Sequence, residues 1–271
     1  MKFKNQRALT QWAQEAARLW LFLDYDGTLA EFAPSPDDIA PRPTVVAIIA
    51  RLALTPNLRV TLLSGRRLQD IQRLIPVSGI FSAGTYGIEL ETPSGELVQR
   101  VAYNDVRPQL ERIKPQWESL LQGREGFFLE DKGWALALHA RFAPALEASQ
   151  VIEQADAVAG QESPSDHLKI FRGYKFLEIA PKLASKKETV DYLLCRYPFS
   201  GARLLYIGDD EQDEEAFSAI HAHGGAAVRI IRPLQPIASM ADFKFASPRS
   251  LLRWLEKLSE LSTNEMTRIH E

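Results

Sequence analysis

A run of five apolar residues that ends in two aspartates constrains the fold of this chain most strongly. The run is Leu19-Trp20-Leu21-Phe22-Leu23, and Asp24 and Asp26 follow it. Because the run does not alternate with polar residues, it predicts a strand covered on both faces, as in a parallel sheet between two layers of helices. In such sheets, ligands bind beyond the carboxyl ends of the strands. Taken alone, the segment from Asp24 to Gly27 could also be an ordinary turn.

The first and last parts of the chain share a strand–helix rhythm. This rhythm predicts an α/β fold with a doubly wound parallel sheet, a Rossmann-like core. The predicted strands span residues 19–23, 59–63, 80–83 and 203–207, and the predicted helices span 8–18, 45–52, 186–196, 213–222 and 248–261. We expect the polar tail after the last helix to be frayed.

The middle of the chain has a different pattern. It predicts helix–strand–strand–helix–strand–strand, an α+β (αββαββ) module inserted into the core. The helices span residues 105–121 and 144–158, and the strands span 127–130, 134–141, 167–171 and 174–180. We therefore expect a core domain of residues 1–104 and 182–271 and an inserted cap domain of residues 105–181.

Charge and composition exclude several functional classes. A net charge of −3 argues against a dedicated nucleic-acid-binding protein. No apolar run approaches the ~20 residues that span a bilayer, and the N-terminus lacks the apolar segment of a signal peptide. The single cysteine, Cys195, is typical of a reducing cytoplasm, and its apolar neighbours predict a position in the core. We therefore expect a monomeric cytoplasmic protein with neither nucleic acid nor membrane as a partner.

Polar residues at the ends of the predicted strands could converge at one edge of the sheet. They comprise carboxylates, a hydroxyl and a cation: Asp24, Asp26, Ser64, Lys186, Asp209 and Asp210. Crowded carboxylates require a cation, and ligands that offer only oxygen atoms favour Mg²⁺. A carboxylate can attack phosphorus, and a second acid can protonate the leaving alkoxide. The hydroxyl, nearby backbone N–H groups and the lysine could hold phosphoryl oxygens. The pattern therefore predicts phosphoryl chemistry.

The order of these residues is similar to that of the haloacid dehalogenase superfamily of phosphatases. Within it, the chain resembles the trehalose-6-phosphate phosphatases over nearly its whole length. The resemblance is carried by LFLDYDGTLAEF, LLSGR, SAGTYGIEL, LEDKGWALALHAR, FLEIAP and YIGDDEQDEEAF. It implies a Mg²⁺-dependent hydrolase that releases trehalose from trehalose 6-phosphate through an aspartyl phosphate, with a cap that closes over the sugar.

The resemblance also implies roles for individual residues. Asp24 would be the nucleophile, and Asp26 the general acid and base. The Asp24 side chain, the Asp26 backbone carbonyl and Asp209 would hold Mg²⁺, supported by Asp210 and Asp213. The phosphate-binding residues would be Ser64, Gly65 and Lys186.

In the cap, alternation along residues 134–141 places His139 and Arg141 on one sheet face with Ala135 and Ala137, which we interpret as an open polar surface. By the resemblance, the candidates for sugar recognition in the cap are Glu130, Lys132, His139 and Glu178. On the core side, Arg66 is a further substrate-binding candidate. A solvated sheet face would explain the cap residues equally well.

The chain departs from the family pattern at Tyr86, Ala180, Leu183 and Lys187. These departures bear on the sugar rather than on the core chemistry. The same chemistry on another phosphorylated glycoside, such as a glucosylglycerate phosphate or sucrose phosphate, is therefore an alternative. A non-enzymatic phospho-aspartate receiver would share the Asp, Lys and Mg²⁺ but would need no cap. A catalytically silent binding protein is a third alternative.

Overall fold

The structure is a computed structural model that describes residues 4–31, 40–162, 167–231 and 238–269. The chain divides into two compact units. The core unit comprises Met1–Val98 and Ser185–Glu271, and the cap unit comprises Gln99–Ala184. These bounds lie a few residues from the junctions that the sequence predicts.

Helices and strands alternate along most of the described chain. In order they are α1 (Gln6–Gln14), β1 (Leu19–Leu23), α2 (Pro43–Leu54), β2 (Leu58–Leu63), α3 (Leu68–Leu74), β3 (Phe81–Gly84), β4 (Glu89–Glu91), β5 (Leu97–Gln99), α4 (Tyr103–Leu121), β6 (Phe128–Asp131), β7 (Leu136–His139), α5 (Ala145–Glu162), β8 (Leu168–Gly173), β9 (Phe176–Pro181), α6 (Lys186–Arg196), β10 (Arg203–Gly208), α7 (Glu211–Ala222), β11 (Ala226–Ile230), β12 (Phe243–Phe245) and α8 (Pro248–Ile269).

The main sheet has eight strands in the order β12-β11-β10-β1-β2-β3-β4-β5. Neighbours from β12 to β3 run parallel, and β4 runs antiparallel to β3. The predicted doubly wound parallel sheet is therefore confirmed. Four strands were not predicted from the sequence: β4, β5, β11 and β12.

Strand β1 is buried on both faces, as its uninterrupted apolar run predicts. Leu19, Leu21 and Leu23 belong to one hydrophobic cluster, which also contains residues of α2 and α8. Trp20 and Phe22 belong to a second cluster, on the other face, with residues of α6 and α7. Two helical layers therefore cover the sheet.

The direction of strand order reverses at β1, which pairs with β2 on one side and β10 on the other. Pairing continues past the end of β1, where the Asp24 N–H donates to the Ile207 carbonyl at 3.0 Å. Asp24 therefore lies at the carboxyl edge of the sheet beside the end of β10. This is a topological switch point, where ligands of open α/β folds bind.

In the cap unit, four antiparallel strands form a second sheet in the order β6-β7-β9-β8. Helix α4 buries Val106, Leu110, Ile113 and Trp117 on one face, as its periodicity predicts. The Trp117 indole N–H donates to the Ala155 carbonyl at 2.9 Å and thereby joins α4 to α5.

Three local predictions from the sequence are wrong. Cys195 is exposed rather than in the core, because it lies on the outer side of α6 near its end. Helix α8 continues to Ile269, so the predicted frayed tail is helical as far as the structure describes it. In the cap sheet, Ala135 and Ala137 are fully buried, so their face is not an open surface. Across the described part of the chain, none of the helices combines the length and apolar character needed to cross a bilayer.

Candidate active site

A buried lysine connects two aspartates at the carboxyl edge of the main sheet. The Lys186 ammonium donates to Asp24 Oδ1 at 2.9 Å and to Asp213 Oδ1 at 2.6 Å. Lys186 is only 2% exposed and begins α6, where the side chain of the N-cap residue Ser185 accepts a hydrogen bond from the backbone. The start of α6 therefore places a permanent cation against the end of β1.

Asp213 accepts hydrogen bonds from four donors. Its Oδ1 accepts from Lys186 and from the Tyr206 hydroxyl at 2.9 Å. Its Oδ2 accepts from the backbone N–H groups of Asp209 at 2.8 Å and Asp210 at 3.0 Å. The Asp210 side chain in turn accepts a hydrogen bond from the Asp213 backbone N–H. This reciprocal pair is a capping box that begins α7 and fixes the loop after β10.

The backbone must approach Asp213 closely at Gly208. A Cβ atom at Gly208 would overlap the Asp213 carboxylate, so only glycine fits there. The glycine of the Gly-Asp-Asp sequence is therefore required for steric reasons, and the two aspartates for chemical ones.

Burial and neighbouring charges both shift the pKa values of these groups. Burial alone would lower the pKa of Lys186, but Asp210, Asp213 and Asp24 together raise it well above its usual range. Burial raises the pKa of Asp24, and Lys186 only partly opposes this effect. Burial and the neighbouring Asp213 raise the pKa of Tyr206. Burial thus disfavours the ionised form of Asp24, which a cation bound beside it would favour.

The donor set fits such a cation. Carboxylate oxygens of Asp24, Asp209 and Asp213 all lie within 4.8 Å of one another, and all three residues are buried. Asp213 already accepts four hydrogen bonds, which leaves Asp24 and Asp209 as the better ligands. Oxygen ligands of this kind suit Mg²⁺. The Thr28 hydroxyl, from the first aspartate motif, donates to Asp209 Oδ1 at 3.2 Å and orients it.

Asp26 and Arg66 form a two-pronged ion pair. Arg66 Nε donates to Asp26 Oδ2 at 2.6 Å, and Nη2 donates to Oδ1 at 2.8 Å. Both side chains line a pocket of about 310 Å³ in the core unit, with Tyr25 and Glu31 among its other walls. The sequence suggested Arg66 for substrate binding, and in this structure its guanidinium is engaged by Asp26. The two residues lie far apart in the sequence, and no pattern in the sequence predicted that they pair.

The loop that follows β2 is held by a strained segment. Thr85 and Tyr86 have φ of 48° and 54°, which bulky and β-branched residues seldom adopt. The Thr85 N–H donates to the Arg66 carbonyl at 2.7 Å, and the Tyr86 N–H donates to the Ser64 carbonyl at 2.9 Å. A Cβ atom at Gly65 would overlap the Tyr86 ring, so the phenol packs directly on this glycine. The predicted phosphate-binding loop is therefore fixed from two sides.

The same segment connects to α6. The Thr189 hydroxyl donates to the Tyr86 carbonyl at 2.7 Å, and this contact is buried. Thr189 lies nearly one turn after Lys186, so the strained segment joins the loop at Ser64 to the helix that carries Lys186. Sequence reasoning missed Thr189, as it missed Tyr206.

In the cap unit, the four predicted sugar-binding residues form one network. The Lys132 ammonium donates to Glu178 Oε1 at 3.0 Å and lies 3.9 Å from Glu130 Oε2. His139 Nε2 lies 2.9 Å from Glu130 Oε2. Pairing across the sheet places Glu130, Ala137 and Glu178 in one row. The small Ala137 leaves room for the polar side chains on either side.

An acidic residue in the first turn of α7 has defined partners. Glu214 pairs with Arg229 of β11 and accepts the Met240 N–H at 2.8 Å. It therefore ties α7 to the region beyond β11 and is not merely solvated.

Comparison with known proteins gives consistent matches. The model of a family described as trehalose-phosphatase matches residues 22–239. A probable trehalose-phosphate phosphatase of Sinorhizobium fredii is 34% identical over 216 residues, which cover 79% of this chain and 78% of that protein. Trehalose-6-phosphate phosphatase of Escherichia coli is 29% identical over 93% of this chain and 90% of its own length. The Mycobacterium marinum trehalose-phosphate phosphatase is 32% identical over 90% of this chain, which spans 62% of that protein.

Solved structures match the fold. The C-terminal domain of a Candida albicans trehalose-6-phosphate phosphatase superposes with a TM-score of 0.82 at 20% identity, covering 95% of this chain and 97% of that one. A trehalose-6-phosphate phosphatase related protein superposes with a TM-score of 0.76 at 18% identity, covering 91% and 99%. At these identities the matches show a common fold alone.

Proposed function

The chain belongs to the trehalose-phosphatase family, and we propose that it hydrolyses trehalose 6-phosphate to trehalose and inorganic phosphate. The observation that carries this proposal is the buried contact of Lys186 with Asp24 and Asp213 beside Asp209. The cap unit argues against a phospho-aspartate receiver, which has no use for one. The intact acidic set argues against a silent binding protein.

In the proposed reaction, Asp24 attacks the phosphorus atom of the substrate. A bond forms between an Asp24 oxygen and phosphorus, and the bond from phosphorus to the sugar oxygen breaks. Asp26, released from Arg66 and protonated, gives its proton to the departing sugar oxygen, and the resulting carboxylate later takes one from the water that attacks the aspartyl phosphate. That second attack releases phosphate and restores Asp24.

The remaining core residues hold charge and position. Ser64, the Gly65 N–H and Lys186 contact the phosphoryl oxygens, and Lys186 also orients Asp24. The side chains of Asp24 and Asp209, with the Asp26 carbonyl, would hold Mg²⁺. When bound, this ion neutralises the charge of the carboxylates and of the phosphoryl group.

We propose that the cap network binds the sugar. Two carboxylates, Glu130 and Glu178, share one ammonium, that of Lys132. Carboxylates accept hydrogen bonds from hydroxyl groups, and the ammonium donates to them. The network therefore suits the hydroxyl groups of a neutral disaccharide such as trehalose. Sucrose phosphate, whose sugar is also neutral, is the second candidate. The single cysteine supports a cytoplasmic location, and we propose a monomer.

The test of this proposal measures the release of both products, phosphate and trehalose. With Mg²⁺ and trehalose 6-phosphate, we expect free phosphate and trehalose to appear in equal amounts. Asp24→Asn has nearly the same shape but cannot attack phosphorus, so it should release neither product while its melting curve stays cooperative. Turnover retained by a folded Asp24→Asn variant would contradict the assignment of the nucleophile. Full wild-type activity in excess chelator would contradict the metal site.

A further inference from the structure

The turn that carries Lys132 is fastened on both sides to helix α4. Arg107 Nη1 and Nη2 donate to the two carboxylate oxygens of Asp131 at 2.7 and 2.9 Å. Arg107 Nη1 also donates to the Gly133 carbonyl at 3.2 Å. One arginine thus contacts the residue before Lys132 and the residue after it.

Asp131 has two further donors. The Lys114 ammonium donates to Oδ2 at 3.0 Å, and the Gly133 N–H donates to Oδ1 at 2.9 Å. Burial alone would raise the pKa of Asp131, but its hydrogen bonds with Arg107, Gly133 and Lys114 hold it well below its usual range. Asp131 therefore remains a carboxylate at any ordinary pH. Hydrogen bonds to such a charged acceptor are stronger and more directional than neutral ones.

We call the contacts of Arg107 with Asp131 and Gly133 the clamp. The clamp is separate from the polar network that contains Lys132. Successive side chains of a strand point to opposite faces, so Asp131 points away from the face that Glu130 occupies. Asp131 meets α4, whereas Lys132 meets Glu178 and Glu130. Lysine has a flexible side chain that loses much rotamer freedom when it is fixed. Fixing the backbone of the turn from the opposite face determines the position from which the Lys132 side chain extends.

We propose that Arg107 and Asp131 are positioning residues that hold Lys132 in place for the sugar, without contacting the sugar themselves. This inference rests on the proposed function, in which Lys132 contacts the sugar. The clamp determines where the Lys132 ammonium lies relative to the two carboxylates. Loosening it should weaken sugar binding and leave phosphoryl chemistry unchanged.

A double-mutant cycle tests this inference. The variants are Arg107→Met, Lys132→Ala and the double variant, assayed with trehalose 6-phosphate and with para-nitrophenyl phosphate. The matched control is Arg172→Met, which breaks an equally two-pronged pair with Asp156 elsewhere in the cap unit. We expect Arg107→Met to lower kcat/KM for the sugar phosphate about tenfold, mainly through KM, as for one lost hydrogen bond to a buried group.

The cycle shows whether Arg107 acts through Lys132. If it does, adding Arg107→Met to Lys132→Ala should cause no further loss, because there is no ammonium left to position. Activity of the Arg107→Met variant on para-nitrophenyl phosphate should stay within about twofold of wild type. The Arg172→Met control should match wild type on both substrates.

Other outcomes overturn the inference. Additive losses in the double variant would mean that Arg107 acts independently of Lys132. An unchanged KM in Arg107→Met, with only a lower Tm, would make the clamp merely structural. If Lys132→Ala alone matched wild type, the proposed sugar contact would be wrong, and the clamp would have no substrate to serve. Should Arg107→Met fail to fold, Lys114→Met removes a more exposed donor to the same carboxylate and should show a smaller effect of the same kind.

Discussion

Substitution of Asp213 by asparagine distinguishes a supporting carboxylate from a metal ligand. Three buried carboxylates share the candidate metal site, and one of them, Asp213, accepts four hydrogen bonds there. An asparagine can accept on one side only, and its amino group would face two donors on the other. Two hydrogen bonds to a charged acceptor are therefore lost, each worth about 1.5–3 kcal/mol. We expect Asp213→Asn to lose about 3–6 kcal/mol of unfolding free energy, a large share of the roughly 5–15 kcal/mol typical of a domain.

The matched variant is Asp209→Asn. It removes one of three mutually repelling carboxylates, so in chelator it should cost little stability or even increase it. Its activity, however, should require a higher Mg²⁺ concentration, because a ligand has been weakened. Asp213→Asn should instead lower kcat with little change in the Mg²⁺ concentration for half-maximal activity.

Two measurements separate these outcomes. Urea unfolding in excess chelator gives the stability of each variant, and a Mg²⁺ titration of phosphate release gives the metal requirement. An Asp213→Asn variant of wild-type stability with a raised Mg²⁺ requirement would show that Asp213 is a ligand. The interpretation of its four hydrogen bonds as its main role would then be wrong.

Three further predictions concern the supporting contacts. Thr189→Val removes a buried donor to the Tyr86 carbonyl, so it should cost about 1–3 kcal/mol of stability and lower kcat on both sugar and aryl phosphates. Thr61→Val, which loses the acceptor of the Trp20 indole N–H, should cost comparable stability and spare kcat. Glu178→Gln should raise KM for the sugar phosphate and leave aryl phosphate hydrolysis near wild type, whereas equal losses on both substrates would place Glu178 outside sugar recognition. Because the folded-state pKa of Asp131 is lowered, its contribution to stability is present above about pH 4 and is lost on acidification. The stability difference between wild type and Asp131→Asn should therefore be largest near neutral pH and shrink in acid, and a pH-independent difference in urea unfolding would contradict this.

The sequence predicted most reliably what depends on local pattern. The uninterrupted apolar run before Asp24 predicts a central strand, and parallel strands necessarily bring their carboxyl ends to one edge. That is why Asp24, Lys186 and Asp209 lie together in the structure although they are far apart in the chain. Their catalytic roles remain predictions.

Side-chain contacts between residues far apart in the chain could not be predicted from the sequence in the same way. No local pattern shows that Asp26 meets Arg66, that Tyr206 donates to Asp213, or that Arg107 holds Asp131. Each of these contacts depends on side-chain direction after folding. Tyr206 in particular looked like one more apolar strand residue, and only its hydroxyl reveals the supporting role.

The other predictions that failed concern short strands and the burial of Cys195. Strands β4 and β12 have three residues each, too few for a periodic signal. Strand β11 contains the charged Arg229, so it lacks the uninterrupted apolar run that identifies β1. Cys195 was misplaced because its apolar sequence neighbours point elsewhere on α6, where successive residues face different directions.

The most direct test of the central claim compares phosphate release from three substrates under the same Mg²⁺ concentration. They are trehalose 6-phosphate, sucrose phosphate and a glucosylglycerate phosphate, each assayed with wild type and with Asp24→Asn. We predict the highest kcat/KM for trehalose 6-phosphate, at least about tenfold above the glucosylglycerate phosphate, and no turnover by Asp24→Asn. A higher kcat/KM for the glucosylglycerate phosphate would contradict the assignment of trehalose 6-phosphate as the substrate. Turnover of trehalose 6-phosphate by folded Asp24→Asn would contradict the proposed chemistry itself.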